Sequence, residues 1–298
     1  MTNNTETPHH HKKILVLPEQ GLDERVAQAA QIIQDSGAAD ILDTKDLNQA
    51  QLDTCKEKLA TLNKYSNCNE DEINTLIKEP QILGALCLKT GIADCCIVGA
   101  TCSTAEVLRA GLHIVGLKPG VVTASSCFLM KTPNNGELIF ADCAVNISPD
   151  AETLAQIAID SACTANSLGI NPRVAMLSAS TKGSARYDAA DKVIQATRII
   201  KEKKPTLIVD GEVQADTALV PSVAQKKGAD TFAKAPANVL VFPDLDSSNT
   251  SYKLVERLSD TKAIGPILQG FAQPINDLSR GCSVDDIVDL AKVTVRLL

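Results

Sequence analysis

Short apolar runs alternate with longer stretches of helical period along most of this chain. KILVL (13–17), DCCIVG (94–99), HIVGL (113–117), ELIFADCAVN (137–146), RVAML (173–177), TLIVD (206–210) and NVLVF (238–242) have the length and composition of buried strands. Between them, DERVAQAAQIIQDSG (23–37), PDAETLAQIAIDSACTANSLG (149–169) and DAADKVIQATRIIKEKK (188–204) repeat apolar residues at helical spacing. The second opens with Pro149 in its first turn and stops at Gly169. The third ends on lysines, which suit the negative end of a helix. A last helix is predicted from Val284, because Val284, Ile287, Val288, Ala291, Val295 and Leu298 share one face. Such alternation of strand and helix predicts an α/β fold with a mainly parallel sheet. Residues 1–11 read as a disordered tail.

Composition narrows the class. A chain of 298 residues makes one large domain or two ordinary ones. Its 44% hydrophobic and 22% charged content is that of a soluble globular protein. It lacks the long apolar run of a membrane span and the layout of a signal peptide. A net charge of −7 argues against a general nucleic-acid surface, and three tyrosines, five phenylalanines and no tryptophan leave little for base stacking. None of the ten cysteines forms a C-x-x-C pair. They read as small buried side chains in a reducing, cytoplasmic setting. No ligand spacing suits a metal. His9-His10-His11 is given no role, and His113, alone in GLHIVG, reads as a packed histidine.

The stretches after the strands add candidate chemistry. PEQGLDER, ATCSTAEVLR, SASTKGSAR, GEVQADTAL and PDLDSSNTSYK each carry small polar residues and some charge. Ligands of open α/β sheets bind where such loops meet helix N-termini, so an anionic, phosphate-bearing ligand is one reading and ordinary polar loops are the other. Neither G-x-x-x-x-G-K-[ST] nor G-x-G-x-x-G occurs, which argues against a P-loop and a dinucleotide site. In NDLSRGCSVDD (276–286), Ser283 and Asp286 fit a capping box for the last helix. Ser279-Arg280-Gly281 lies outside that explanation.

Seven blocks in order carry a family resemblance: LPE with Asp23 and Arg25, then residues 91–120, 142–159, 172–185, 209–221, 237–253 and 263–288, the last containing NDLSRG with an acid seven residues after the serine. On these the chain resembles the phosphate acetyltransferases (phosphotransacetylases) of the phosphate acetyl/butyryl transferase family. The resemblance implies two α/β/α domains with an intervening cleft, as in isocitrate and isopropylmalate dehydrogenases. Domain I would be residues 1–117 and 266–298, domain II residues 118–265, and the protein a homodimer. The implied reaction is acetyl-CoA + phosphate ⇌ CoA + acetyl phosphate, by direct transfer in a ternary complex. CoA is then a substrate, no cofactor or metal takes part, and neither nucleic acid nor membrane is a partner. Carried over residue by residue, Asp286 takes the thiol proton, Arg280 grips phosphate and Ser279 donates to the acyl oxygen. Arg109 is a second anion ligand, and Ser103 and Thr104 are phosphate-loop donors. Two alternatives stand beside this reading: a propionyl or butyryl transferase, and a paralogue that binds CoA or acyl phosphate without turnover. The chain departs from the family at Asn63, where an arginine is usual, and at Ser248, where glycine is usual.

One magnitude constrains the base. An aspartate near pKa 3.9 facing a thiol near 8.5 leaves proton transfer uphill by about 4.6 units, or ~6 kcal/mol. Either burial raises the acid or the proton leaves in concert with attack.

Overall fold

The structure, a computed structural model, describes residues 12–298. The expected tail and His9–His11 lie outside the described residues. The chain runs through β1 (Ile14–Val16), α1 (Glu24–Ser36), β2 (Asp40–Leu42), α2 (Gln49–Thr61), α3 (Glu70–Leu76), α4 (Pro80–Lys89), β3 (Cys95–Val98) and α5 (Thr104–Ala110). It continues through β4 (Ser125–Thr132), β5 (Gly136–Ala141), α6 (Ala151–Ser167), β6 (Arg173–Leu177), α7 (Asp188–Lys203) and β7 (Ile208–Val213). Three short helices follow: α8 (Ala215–Leu219), α9 (Pro221–Lys226) and α10 (Asp230–Ala233). The last elements are β8 (Val239–Val241), α11 (Leu245–Leu258), β9 (Lys262–Gln269), β10 (Ile275–Asp277) and α12 (Val284–Arg296).

These strands build two sheets. The first has the order β10-β3-β1-β2 and is parallel throughout. The second has the order β7-β6-β8-β5-β4-β9. Its first four strands are parallel, while β4 runs antiparallel to both β5 and β9. Successive strand residues face opposite layers. Leu15, Cys95 and Ile97 join one apolar cluster with α1 and α12, whereas Val16, Cys96 and Val98 join another with α4. The first sheet is therefore covered on both faces, as an all-parallel sheet requires.

The three predicted helices form with small shifts at their ends. Asp23 caps α1 by accepting from the N–H of Arg25 at 2.9 Å, and Gly37, at φ 69°, closes it in the left-handed region. Asp150 caps α6 by accepting from Thr153 at 2.8 Å, so Pro149 precedes the cap instead of opening the first turn. HIVGL is not a strand. The chain continues from α5 into a wider helical turn over Gly111–Val115, and His113 on it is exposed, not packed. Gly111 allows this, because a Cβ there would meet the Phe271 ring at 2.7 Å. The antiparallel strands β4 and β9 are absent from the list predicted above. Their continuous apolar runs lack a period that separates strand from buried helix.

The chain returns to the first sheet only after finishing the second. β9 ends at Gln269 in one sheet and β10 starts at Ile275 in the other, so the expected boundary at 265/266 falls inside β9. Asn276, 1% exposed, ties this crossover together. Its Oδ1 accepts from Leu268 N–H at 2.8 Å, and its Nδ2 donates to Thr294 Oγ1 of α12 at 2.7 Å. No helix among the described residues is long and apolar enough to cross a membrane.

Replacing Asn276 by alanine strands the Leu268 N–H in a dry interior. The variant is expected to lose about 2 kcal/mol of stability in urea unfolding. A loss of only a few tenths would show that this amide does not hold the crossover.

Candidate functional site

Parallel pairing of β10 with β3 carries residues 277–280 to the carboxyl edge of the first sheet, with Leu278 N–H donating to Val98 O at 2.9 Å. Beyond it the chain turns tightly: Cys282 N–H donates to Ser279 O at 2.9 Å and Gly281 N–H to Ser279 Oγ at 3.3 Å. Arg25 clamps this turn from α1. One guanidinium nitrogen donates to the carbonyls of Arg280 and Cys282 at 2.9 and 2.7 Å, and the other pairs with Asp23 at 2.7 Å. That hydrogen-bonded pairing holds the Asp23 carboxyl below the usual carboxylate range.

A buried carboxylate sets the neighbouring loop. Glu19, 1% exposed, accepts from the N–H groups of Gly99, Ala100 and Thr101 at 2.8, 2.8 and 2.6 Å, and from Thr101 Oγ1 at 2.6 Å. Gly99 sits at φ +127°, and a Cβ there would fall 2.4 Å from Asp277 Oδ1 and 2.7 Å from Leu278 N, so only glycine fits. Ser103 then starts α5 in a capping box with Glu106, and Thr104 Oγ1 donates to Asp277 Oδ2 at 2.5 Å. Asp277 is 2% exposed, and its Oδ1 has no hydrogen-bond partner among the described residues. Burial pushes its carboxyl up to about 7; the Glu19 charge adds to the rise and the Thr104 hydroxyl opposes it.

These residues face a cavity of about 740 Å³ between the elements of the two sheets. Thr104, Asp277, Ser279, Arg280 and Asp286 line one side. Phe128, Tyr252, Lys253 and Arg257 line the other. The Phe128 and Tyr252 rings stack with centroids 4.2 Å apart, and burial pushes the Tyr252 hydroxyl up to about 12, so it is neutral at ordinary pH. Ser248 braces α11 behind this wall: its Oγ donates to Asp142 O at 2.5 Å, and its backbone is helical, without the left-handed conformation that would demand glycine.

Ser279, Arg280, Asp286 and Thr104 thus share one cavity, whereas Ser103 and Arg109 do not line it. The Ser103 hydroxyl is engaged with Glu106 Oε2 at 2.7 Å. Arg109 is exposed on α5; after the Ser103 hydrogen bonds, it and Arg280 help hold the Glu106 carboxyl below its usual range. Among the described residues the Arg280 guanidinium has no hydrogen-bond or ion-pair partner. Asp286 Oδ2 accepts from Ser283 N–H at 2.9 Å and Ser283 Oγ at 2.8 Å, which leaves Oδ1 free. Capping and cavity lining therefore coexist on one side chain. Asn63 is exposed beyond α2, and Lys89 donates to Val115 O at 3.0 Å. The SASTKGSAR and GEVQADTAL loops form a separate cluster in which Lys182 Nζ donates to Asp210 Oδ1 at 2.5 Å and Gly183 N–H to Glu212 Oε1 at 2.7 Å. Cys282 is buried, and that burial raises its thiol.

Sequence reasoning missed Asp277, Glu19 and the roles of Arg25, Lys253 and Arg257. Asp277 lies inside NDLSRG, but a three-residue strand has no alternation to reveal a buried acid.

The family model for phosphate acetyl/butaryl transferase matches residues 37–295. A phosphate acetyltransferase of Thermoanaerobacterium thermosaccharolyticum is 44% identical over 316 aligned positions, covering 97% of this chain and 96% of the relative. The crystal structure of a phosphotransacetylase from Streptococcus pyogenes superposes with a TM-score of 0.85 at 38% identity, covering 96% of this chain and 93% of that one. The EutD phosphotransacetylase from Staphylococcus aureus gives 0.81 at 35% identity, covering 96% and 94%. The chain belongs to the phosphate acetyl/butaryl transferase family.

The raised Asp277 carboxyl has a measurable consequence. Its folded pKa lies above the unfolded value, so the stability of the neutral form is complete below about pH 4 and is lost as pH rises through about 7. Asp277→Asn removes this dependence. Its unfolding free energy relative to wild type is expected to climb between about pH 4 and about pH 7, by at most about 1.4 kcal/mol per pH unit, and to level off above. A difference that stays flat with pH would mean that Asp277 is ionised throughout.

Proposed function

We propose that this member of the family catalyses acetyl-CoA + phosphate ⇌ CoA + acetyl phosphate in the cavity around Arg280, with both substrates bound together. One observation carries the reading: Ser279, the Arg280 guanidinium, unpaired among the described residues, and Asp286 line one cavity, with Lys253 and Arg257 on its opposite wall. Transfer between a thiol and a phosphate needs cations for the phosphoryl oxygens, a donor for the acyl oxygen and a base for the thiol. A planar guanidinium can hold two phosphoryl oxygens at once, which suits Arg280. Ser279 Oγ suits the acyl oxygen, whose charge grows in the transition state and must be stabilised there more than in the ground state.

Asp286 suits the thiol proton through its free Oδ1, while the capping box fixes the other oxygen. This side chain is exposed, and in this reading the proton leaves in concert with attack. Holding acyl donor and acceptor side by side supplies much of the rate without an acyl-enzyme. Cys282, buried with a raised thiol, is a poor nucleophile. In this reading Arg109, exposed on α5, steers anions, and Ser103 shapes the loop through Glu106. The same reading takes the protein as a cytoplasmic homodimer of two lobes, with the second crossover drawn after Gln269.

Arg280→Ala and Asp286→Ala are each expected to fold normally and to lose ~10²-fold or more in phosphate-dependent release of CoA from acetyl-CoA. Arg280→Lys should recover only part of the loss, since a point charge cannot grip two oxygens. Wild-type rates in either alanine variant would remove that residue from the mechanism.

A further inference from the structure

The reaction leaves one proton unaccounted for. When a thiolate displaces phosphate from an acyl phosphate, the carbon–oxygen bond breaks and its electron pair stays on the phosphate oxygen. That oxygen is strongly basic until it is protonated. Asp286 serves as the base for the thiol proton and so is not the acid for the leaving oxygen. A donor near the Arg280 phosphate position must therefore be a group kept neutral at working pH.

Resting on the acyl-transfer reading above, we propose that Thr104 and Asp277 form a hydroxyl–carboxyl relay. It hands a proton to the phosphate oxygen released from the acyl phosphate and takes it back when phosphate attacks acetyl-CoA. Both residues line the cavity, and Asp277 lies three residues before Arg280 on the same strand and turn. Asp277 is nearly sealed from solvent, and its Oδ1 has no partner among the described residues. An unpartnered oxygen is far less unfavourable on a neutral acid than on a carboxylate. Its other oxygen lies 2.5 Å from Thr104 Oγ1. In the ionised state Thr104 donates along that line. In the neutral acid Oδ2–H donates to Thr104 Oγ1, which turns its own hydrogen to the cavity.

The step balances. Sulfur bonds to the carbonyl carbon as the carbon–oxygen bond breaks. The released oxygen takes the Thr104 hydrogen, Thr104 takes the one on Asp277 Oδ2, and Asp277 becomes a carboxylate. One proton has then moved from Asp277 to phosphate and one from thiol to Asp286, and solvent restores both groups. Two carboxyl groups thus divide the work by environment, the exposed Asp286 as base and the buried Asp277 as acid.

Other ionisable groups surround the pair. Glu19 lies on the turn after β1 and its charge raises Asp277. Cys102, on the loop before α5, is held up to about 12 by burial and stays neutral. Arg280, Asp286 and, from α11, Lys253, Glu256 and Arg257 line the same cavity. Burial brings Asp277 to about 7, near neutrality. Consumption of acetyl phosphate should accordingly fall as pH rises through about 7, and its formation should rise.

The test measures kcat against pH in both directions for wild type, Asp277→Asn, Thr104→Val and Thr104→Ser. Asp277→Asn and Thr104→Val should each lose ~10²-fold in kcat and the limb near neutrality, with KM for CoA unchanged. Thr104→Ser should keep both rate and limb. Circular dichroism shows whether each variant is folded, and Thr104→Val tests the relay even if Asp277→Asn is not. A folded Asp277→Asn or Thr104→Val enzyme that retains the wild-type limb overturns the relay. A wild-type protein without acyl transfer overturns the parent reading and the relay with it.

Discussion

The pairing of three residues, Ile275–Asp277, beside Cys96–Val98 positions most of the site. It inserts a late strand into a sheet otherwise built from the first hundred residues, after the chain has completed a second sheet. The carboxyl ends of β3 and β10 are thereby neighbours, so the loop that holds Thr104 and the turn that holds Ser279 and Arg280 open onto one cavity. Parallel strands place their carboxyl ends on one edge, and ligands gather there. Four hydrogen bonds to Glu19 and two carbonyl contacts from Arg25 fix the two loops from behind.

The chemistry follows from what is left unsatisfied. Arg280 carries a charge with no partner among the described residues, and Asp277 keeps a buried oxygen without a donor. A structure optimised only for stability would pair the first and replace the second. Their retention in the wall of the same cavity suits a site that binds phosphate and handles a proton. Asp286 shows that structural and catalytic duties are compatible: one oxygen starts α12 and the other remains available.

Much of this was legible in the chain. The helices α1, α6, α7 and α12 were readable because their apolar spacing is strong, and Gly37 and Gly169 mark where two of them stop. Ser279-Arg280 stood out because a helix cap does not require it. β4, β9 and β10 were less legible: the first two are continuous apolar runs, and the third is too short for a period. Ser248 looked like a strained substitution only while its backbone was unknown; in a helix it gains a hydrogen bond to Asp142 instead. Asp277 and Glu19 were invisible as a site because their burial comes from contacts across 80 to 173 residues of sequence. Arg109, expected as a second anion ligand, is exposed on α5 and is not among the residues that line the cavity.

Direct transfer between two bound substrates is the claim on which these roles converge. The sharpest measurement is exchange of isotopically labelled phosphate into acetyl phosphate, with and without CoA. The account predicts rapid exchange when CoA is present and none in its absence, because the acyl group never rests on the protein. Exchange without CoA would reveal an acyl-enzyme and contradict the account, as would a failure to exchange when CoA is supplied.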